Sequence, residues 1–436
     1  MSDIAIPGMI GPGDFTDDQR PKDWTQGMLD IDPNGDVILT YLLSVLPKVK
    51  TTDNDFNWHD RYRPSLTADL TNLYIDPLLA TAYVFATHTG AIGQTLYAKL
   101  AEADAKMFRG GDQVLLRDDS DSGVDKIALV TNKVLNGASS YLAVKLLEAD
   151  ATTAGSNDLA SADIIAGAGT AQGVGSPMPD SVTYAPTKYN NRTQIFEESL
   201  DLSRTGLKTH LRTGDIYMDA KTLALQTLLQ KKERAYFFGA MYEDTDEKGK
   251  ERTFTGGLRW FLRTYASENI FDYEYDTDYT AAAWATSGET WLDNSMEQLF
   301  RYGSDTKFAI CGPGCLLGLK ALAKANSNYE INSRTTSYGL NVYEFISPFG
   351  RLLFKKHPDF IYDNVMRHTA FVIDTKYMHD RVMDAVNFKP DPSKGKGGNN
   401  SVDGIKESFL GESGLMLRNI KAFGMLQGFG KANALS

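Results

Sequence analysis

Cysteine is nearly missing from this 436-residue chain: Cys311 and Cys315, in ICGPGC, are the only two. Two thiols cannot build a disulfide framework, and no second pair completes a zinc site, so a reduced, intracellular place of synthesis is expected. Their spacing also departs from the CxxC of reactive redox pairs. No apolar run approaches the ~20 residues of a membrane helix. The opening stretch MSDIAIPGMIGPGDFTDDQRPKDW has no basic region followed by an apolar core, so it does not read as a secretory signal. Positive charge is also in short supply. With 45 Lys+Arg against 56 Asp+Glu, the net charge is -11. Without a basic cluster the chain is poorly equipped to displace counterions from phosphates, which argues against a direct grip on nucleic acid.

Catalytic and nucleotide-binding signatures are absent too. GAGTAQG (167–173) misses the GxGxxG spacing and lies in low-complexity sequence, while Gly395-Lys396-Gly397-Gly398 lacks the strand and helix that flank a phosphate loop. The six histidines, His59, His88, His210, His357, His368 and His379, form no HxH or HExxH pair, and there is no GxSxG elbow. No catalytic, cofactor-binding or metal-ligating residue is assigned, and no cofactor is expected. Asp272, Glu274, Asp276 and Asp278 alternate in FDYEYDTDY. In a strand all four would point the same way and repel one another unless a cation sat there. The spacing misses the calcium-loop pattern, so a solvated edge is expected, with an ion site or an acid–base pair as the alternative. Lys126, Lys133 and Lys145 read as guards on exposed strand edges in preference to isopeptide donors. Asn191-Arg192-Thr193 and Asn400-Ser401 touch glycosylation sequence space only formally.

What the chain does have is one long helical stretch, GDIYMDAKTLALQTLLQKKERAYFFGAM, from Gly214 to Met241. It is rich in helix formers, has no proline, and would run roughly 40 Å. Ile216, Ala220, Leu223, Ala224, Leu228, Lys231, Ala235 and Phe238 share one stripe at helical spacing. Asp215 and Asp219 at its start, and Lys231, Lys232 and Arg234 near its end, suit the helix dipole. Thr227 and Lys231 make the stripe too polar for full burial in one globule, so a spine covered on one side and wet on the other is expected.

Around this helix the chain changes character in blocks. Residues 1–35 are an irregular Gly/Pro/Asp arm, and 37–46 (VILTYLLSVL) form a short helix ending at Pro47. Three β-type runs, VLLR, KIALVTNKVL and SSYLAVKLL, form a small antiparallel unit between 107 and 147. Residues 150–180 are mostly Ala, Gly, Ser, Thr and Asp, and are expected to be a mobile loop. After a charged loop at 243–253, Thr286 and Glu289 set a capping box for a second helix carrying Trp291, Leu292, Met296, Leu299 and Phe300. FAIC (308–311) turns through Gly312-Pro313-Gly314 into a third helix ending near Asn326. LNVYEFI and RLLFK flank the turn Ser347-Pro348-Phe349-Gly350, AFVID (370–374) is a core strand, and 390–404 is a loop.

The order of these parts resembles the major capsid proteins of tailed bacteriophages (Caudoviricetes) with the Hong Kong 97 fold. Local matches are YNNRTQIFEESLDLSRTG before the long helix, ERAYFFGAM at its end, RTFTGGLRWFL after it, and GLNVYEFISPFGRLLFKKHPDF followed by AFVID. The resemblance implies an α+β fold with an N-terminal arm (1–60), the start of a peripheral domain (61–106), and an extended loop with a β-rich insertion (107–205). A spine helix (206–254), an axial domain (255–350) and a return to the peripheral and axial domains (351–436) complete it. It further implies a structural protein that self-assembles into hexamers and pentamers forming an icosahedral head around double-stranded DNA. The protein would be located in the virion after assembly in the host cytoplasm. Partners would be further copies of the chain, portal, scaffolding and decoration proteins, with DNA enclosed without sequence-specific binding and no membrane involved. A nanocompartment shell of the encapsulin kind is the alternative, and a carboxylate- or metal-dependent hydrolase is the alternative from another class.

Overall fold

The computed structural model describes residues 37–63, 65–88, 90–150, 158–179, 181–209, 214–325, 332–337, 340–391 and 403–435. Residues 1–35, Asn326, 395–398 and Asn400-Ser401, read above from sequence, lie outside them. The chain divides into two compact units, 61–187 and the remainder.

The unit 61–187 is one antiparallel sheet of seven strands. Their spatial order is Thr67–Asp69, Ile164–Thr170, Asp112–Arg117, Asp125–Val134, Tyr141–Leu146, Thr95–Lys99 and Asn72–Tyr74. Period-two alternation sends Val114, Leu116, Ala128, Val130, Leu142, Val144, Leu96 and Ile165 into a single core, all unexposed. The three strands read from sequence are its centre. The expected mobile loop at 150–180 needs correction, because Ile164–Thr170 is a strand seated between two others. Glycine hides it from a propensity argument: Gly167 packs on Leu66, and a Cβ there would approach the Leu66 Cβ to 3.1 Å. Residues 151–157 lie outside the described part. Beside the sheet, Tyr83 donates to Asp150 Oδ2 at 2.7 Å and the Leu159 amide donates to Asp150 Oδ1 at 3.0 Å. Burial and this carboxylate push the Tyr83 phenol up, which keeps it a donor.

The larger unit carries two main sheets. In one, Val49–Lys50, Met378–Lys389, Gly404–Leu417 and Gln194–Ser203 lie side by side, with only the first pair parallel. The helix Ile216–Phe238 packs on the last two of these strands. In the other, the order is Ile270–Asp272, Gly424–Gln427, Ala370–Ile373, Thr306–Cys311, Gly350–Lys356, Leu340–Ser347 and Asn332–Ser337, a mixed sheet. The hairpin turn read from sequence is there, with Ser347 paired to Gly350.

The helices Trp284–Phe300 and Pro313–Ala325 share a core with the second sheet, in which Trp291, Leu292, Leu299, Cys311, Leu319, Phe354 and Phe429 are buried. The capping box at Thr286 and Glu289 is not used. The helix starts at Trp284, with Ala283 as an N-cap that offers no side-chain bond. Tertiary burial explains the extra turn: the Trp284 indole donates to the Gly318 carbonyl at 3.0 Å and its ring meets Tyr273, Trp291 and Phe429.

The other end of that helix is closed by a lysine. Lys307 is 1% exposed, and its Nζ donates to the carbonyls of Leu299, Tyr302 and Ala422 at 2.5, 2.9 and 2.7 Å. An ammonium at a helix C-terminus satisfies orphan carbonyls and suits the dipole. Burial nevertheless holds its pKa down at about 8, against 10.5 ordinarily, with Asp374 acting the other way. Between those two pH values the unfolded chain binds more protons than the folded one, so the native state gains stability as pH rises through that window. Lys307→Met should lower stability by about 2–3 kcal/mol through the lost carbonyl bonds. Urea titrations from pH 7 to 11 should also show a smaller rise in stability with pH for the variant than for the wild type.

Candidate functional site

The long helix begins at Ile216, capped by Asp215, whose Oδ1 accepts from the Tyr217 amide at 2.9 Å, and it ends at Phe238. Its buried residues are Ala224, Leu228, Lys232, Glu233, Tyr236 and Phe237. The stripe read from sequence is therefore rotated: Leu223 is 64% exposed, and Lys231 is a surface residue paired with Glu198. The neighbouring lysine is the buried one. The second half of the helix carries all its buried side chains but Ala224, while the first half meets the four-stranded sheet through Tyr217, whose hydroxyl lies 2.8 Å from Glu407 Oε2, and Lys221 over the Phe388 ring, and exposes Met218 and Leu223.

Lys232 and Glu233 are consecutive, so a helical step of 100° aims them at different layers. Glu233 is 1% exposed and reaches the helix Ile38–Val45, which has no side-chain cap of its own. Its two oxygens accept from the amides of Leu39 at 2.9 Å and Thr40 at 3.2 Å, and so cap that helix from 194 and 193 residues away. His357 Nε2 lies 2.7 Å from Oε1, on the opposite side. The His357 ring stacks on Phe360 at 4.6 Å and meets Phe237 edge-on at 5.6 Å.

Lys232 turns to the four-stranded sheet. Its Nζ lies 3.1 Å from Asp380 Oδ2, with both side chains under 9% exposed. The Tyr236 hydroxyl lies 2.6 Å from Asp380 Oδ1 and 2.9 Å from Ser413 Oγ. A phenol has one proton, so it donates to the carboxylate and Ser413 donates to it. Burial and the Asp380 charge push the Tyr236 phenol well up, which keeps it protonated. A second buried clamp lies nearby. The Asn191 amide donates to the Leu415 carbonyl at 2.6 Å and accepts from the Gly256 amide at 2.7 Å, joining three segments. Asn191 and Thr193 are fully buried, so the formal glycosylation triplet is a packing element.

The acidic stretch behaves differently from the strand alternation expected of it. The strand stops at Asp272, and two single-turn 3-10 helices follow. Asp272 and Asp276 cap these turns, accepting from the amides of Glu274 at 3.1 Å and Asp278 at 3.0 Å, while Glu274 pairs with Lys431 at 2.7 Å. Asp272 is partly buried, which raises its pKa, and so is no part of a solvated edge. The alternation is turn chemistry: Asp bonds the backbone two residues on. Among the described residues, no group of three His, Cys, Asp or Glu side chains is placed to hold a metal ion. Cys311 and Cys315 are free and fully buried, and burial raises the Cys315 thiol pKa. Lys133 donates to the Phe108 carbonyl at 2.8 Å.

These contacts form a buried frame that ties the long helix to its neighbours. The model of the SU10 major capsid protein family matches residues 12–430. The chain belongs to that family. It is a structural protein of a bacteriophage capsid. A major capsid protein of Pseudomonas phage PaMx41 is 24% identical over 254 residues, which cover 56% of this chain and 57% of that protein. The match thus spans little more than half of that relative. Among solved structures, a chain of Mycobacterium phage Bobi is 9% identical, with a TM-score of 0.45, covering 94% of this capsid protein and 96% of the other. The holo-SrpI encapsulin of Synechococcus elongatus PCC 7942 is 9% identical, with a TM-score of 0.36, covering 56% and 76%.

Lys232, Glu233, His357 and Asp380 had no signal in the sequence of this capsid protein. KKER in a helix reads as a wet face, and the partners lie 124, 148 and 194 residues away. Their weight can be measured. Asp380→Asn leaves a buried ammonium without its counter-charge and should cost about 3–5 kcal/mol, whereas Lys232→Met with Asp380→Leu should cost far less. Urea unfolding midpoints of the unassembled variants decide between these outcomes.

Proposed function

We propose that many copies of this chain close into hexamers and pentamers and form an icosahedral head that encloses double-stranded DNA. The observation that carries this reading is the family match, which runs through nearly the whole chain. The finer fold assignment belongs to the same proposal, namely a Hong Kong 97-type architecture. In it, 1–60 is the N-terminal arm, 61–106 the start of the peripheral domain, 107–205 the extended loop with its β-rich insertion, 206–254 the spine, 255–350 the axial domain and 351–436 the return. Heterologous, head-to-tail contacts make rings when the rotation closes.

Exposed apolar side chains support the reading. On the unit 61–187, Leu78 is 87% and Met178 93% exposed, and on the larger unit Met218, Leu223 and Tyr362 are 56%, 64% and 76% exposed. Side chains of this kind, once gathered into patches, mark surfaces that other chains cover. An excess of acid suits a wall that holds DNA without gripping it. Portal, scaffolding and decoration proteins are the expected partners, and assembly in the host cytoplasm precedes residence in the virion. No helix among the described residues is long and apolar enough to cross a membrane.

Electron microscopy of the purified protein tests the proposal. Closed icosahedral shells are the expected result, and a compact monomer at every concentration contradicts it. DNA in particles purified from infected cells separates a phage head from a nanocompartment, which would carry protein cargo.

A further inference from the structure

A cavity of about 270 Å³ opens beside the second half of the long helix, walled by Phe238, Arg259, His357, Phe360 and Met366 among others. Its anions are all engaged. Glu233 accepts from two amides and faces His357, Asp359 pairs with Arg234 at 3.5 Å, and Asp363 accepts from the Val365 amide at 2.9 Å. Two of its nitrogens are not. The buried Nε of Arg259 has no hydrogen-bond partner, and neither has Nδ1 of His357, a side chain only 1% exposed.

The position of Arg259 makes this costly. It is the second residue of the helix Leu258–Tyr265, where the dipole disfavours a cation, and Arg263 follows one turn later. Among the described residues no carboxylate pairs with it, and burial and Arg263 together push the pKa of its guanidinium down. A partly buried guanidinium with an unpartnered Nε is relieved by one added carboxylate, which it can bind as a fork. The wall's own carboxylates are each engaged, and a cavity of about 270 Å³ admits a single side chain.

We propose that this cavity receives an acidic side chain from a second copy of the chain, with Arg259 clasping its carboxylate. The inference rests on the assembly proposed above. Two features of the molecule favour a second copy as the source. Each copy holds 56 acidic against 45 basic side chains, so a neighbour presents a surplus of carboxylates. The loop that forms one wall also exposes Ile361, Tyr362 and Val365 at 51%, 76% and 54%, an apolar rim beside the charged floor. This pairing of an apolar rim with a charged anchor is the layout of a protein–protein contact.

The test is a reconstruction of assembled wild-type shells, together with assembly assays on Arg259→Gln and Arg259→Lys. A carboxylate of a neighbouring copy is expected within hydrogen-bond distance of Arg259 Nε. Arg259→Gln should raise the protein concentration needed for assembly about tenfold, with Arg259→Lys in between, because the charge remains and the fork is lost. The urea midpoint of the unassembled Arg259→Gln chain should equal or exceed that of the wild type, which shows the loss to be one of association. Shells of Arg259→Gln that assemble like the wild type overturn the inference. So does a wild-type cavity holding solvent, an adventitious ion only, DNA phosphate or a side chain of the same copy. A wild type that forms no shells overturns the assembly reading itself, a separate result from a wild type that assembles with an indifferent Arg259.

Discussion

Two adjacent charges in one helix, Lys232 and Glu233, hold the larger unit together, and both are buried. Removing such groups from water costs several kcal/mol each, a cost that the carboxylate, amide and imidazole partners of this pair offset. Here each one reaches a different layer. Glu233 takes up the orphan amides of Ile38–Val45 and the ring of His357, while Lys232 meets Asp380 on the four-stranded sheet. A charge displaced from its partner here would be left buried and unpaired, so the arrangement specifies one position of the helix against its neighbours. The surface pairs Arg204–Asp403 and Arg252–Asp244, more than half exposed on the arginine side, contribute little by comparison.

The division along the long helix follows from that anchor. From Ala224 onward, apolar and paired polar residues pack against sheet and helix; before it, Met218, Thr222 and Leu223 are exposed. Tyr217 and Lys221 still tether that first half to the sheet, so within this unit the helix is held firmly at one end and lightly at the other. On the assembly proposed above, the lightly held end is where further copies add contacts. The unit 61–187 shows another form of stability, a one-piece apolar β core, with ion pairs such as Arg117–Asp125 at its surface. Strands from 61–106 and from 107–170 share its sheet, so the whole stretch is one compact body.

Much of this was legible in the sequence, and the failures have physical causes. Strong period-two runs gave the central strands at 112–146, and helix formers between an aspartate cap and a glycine gave Ile216–Phe238 within three residues. The family resemblance rested on the order of such parts. Misreadings came where tertiary burial overrode a local rule. Trp284 extended its helix past the capping box, and Ile164–Thr170 became a strand although half of it is glycine and alanine. Asp272 and Asp276 used their carboxylates on their own backbone. The frame itself was invisible, because Lys232 and Glu233 in isolation are the residues of a wet helix face and only contacts far along the chain bury them.

The central claim, that the long helix is held firmly in its second half and only lightly in its first until other copies cover it, is tested most directly by amide hydrogen exchange. The unassembled chain and the assembled particle are compared. The account predicts slow exchange at 228–238 in both states, and fast exchange at 217–223 in the free chain that slows on assembly. Equal protection of both halves in the free chain, or no change at 217–223 on assembly, would contradict it.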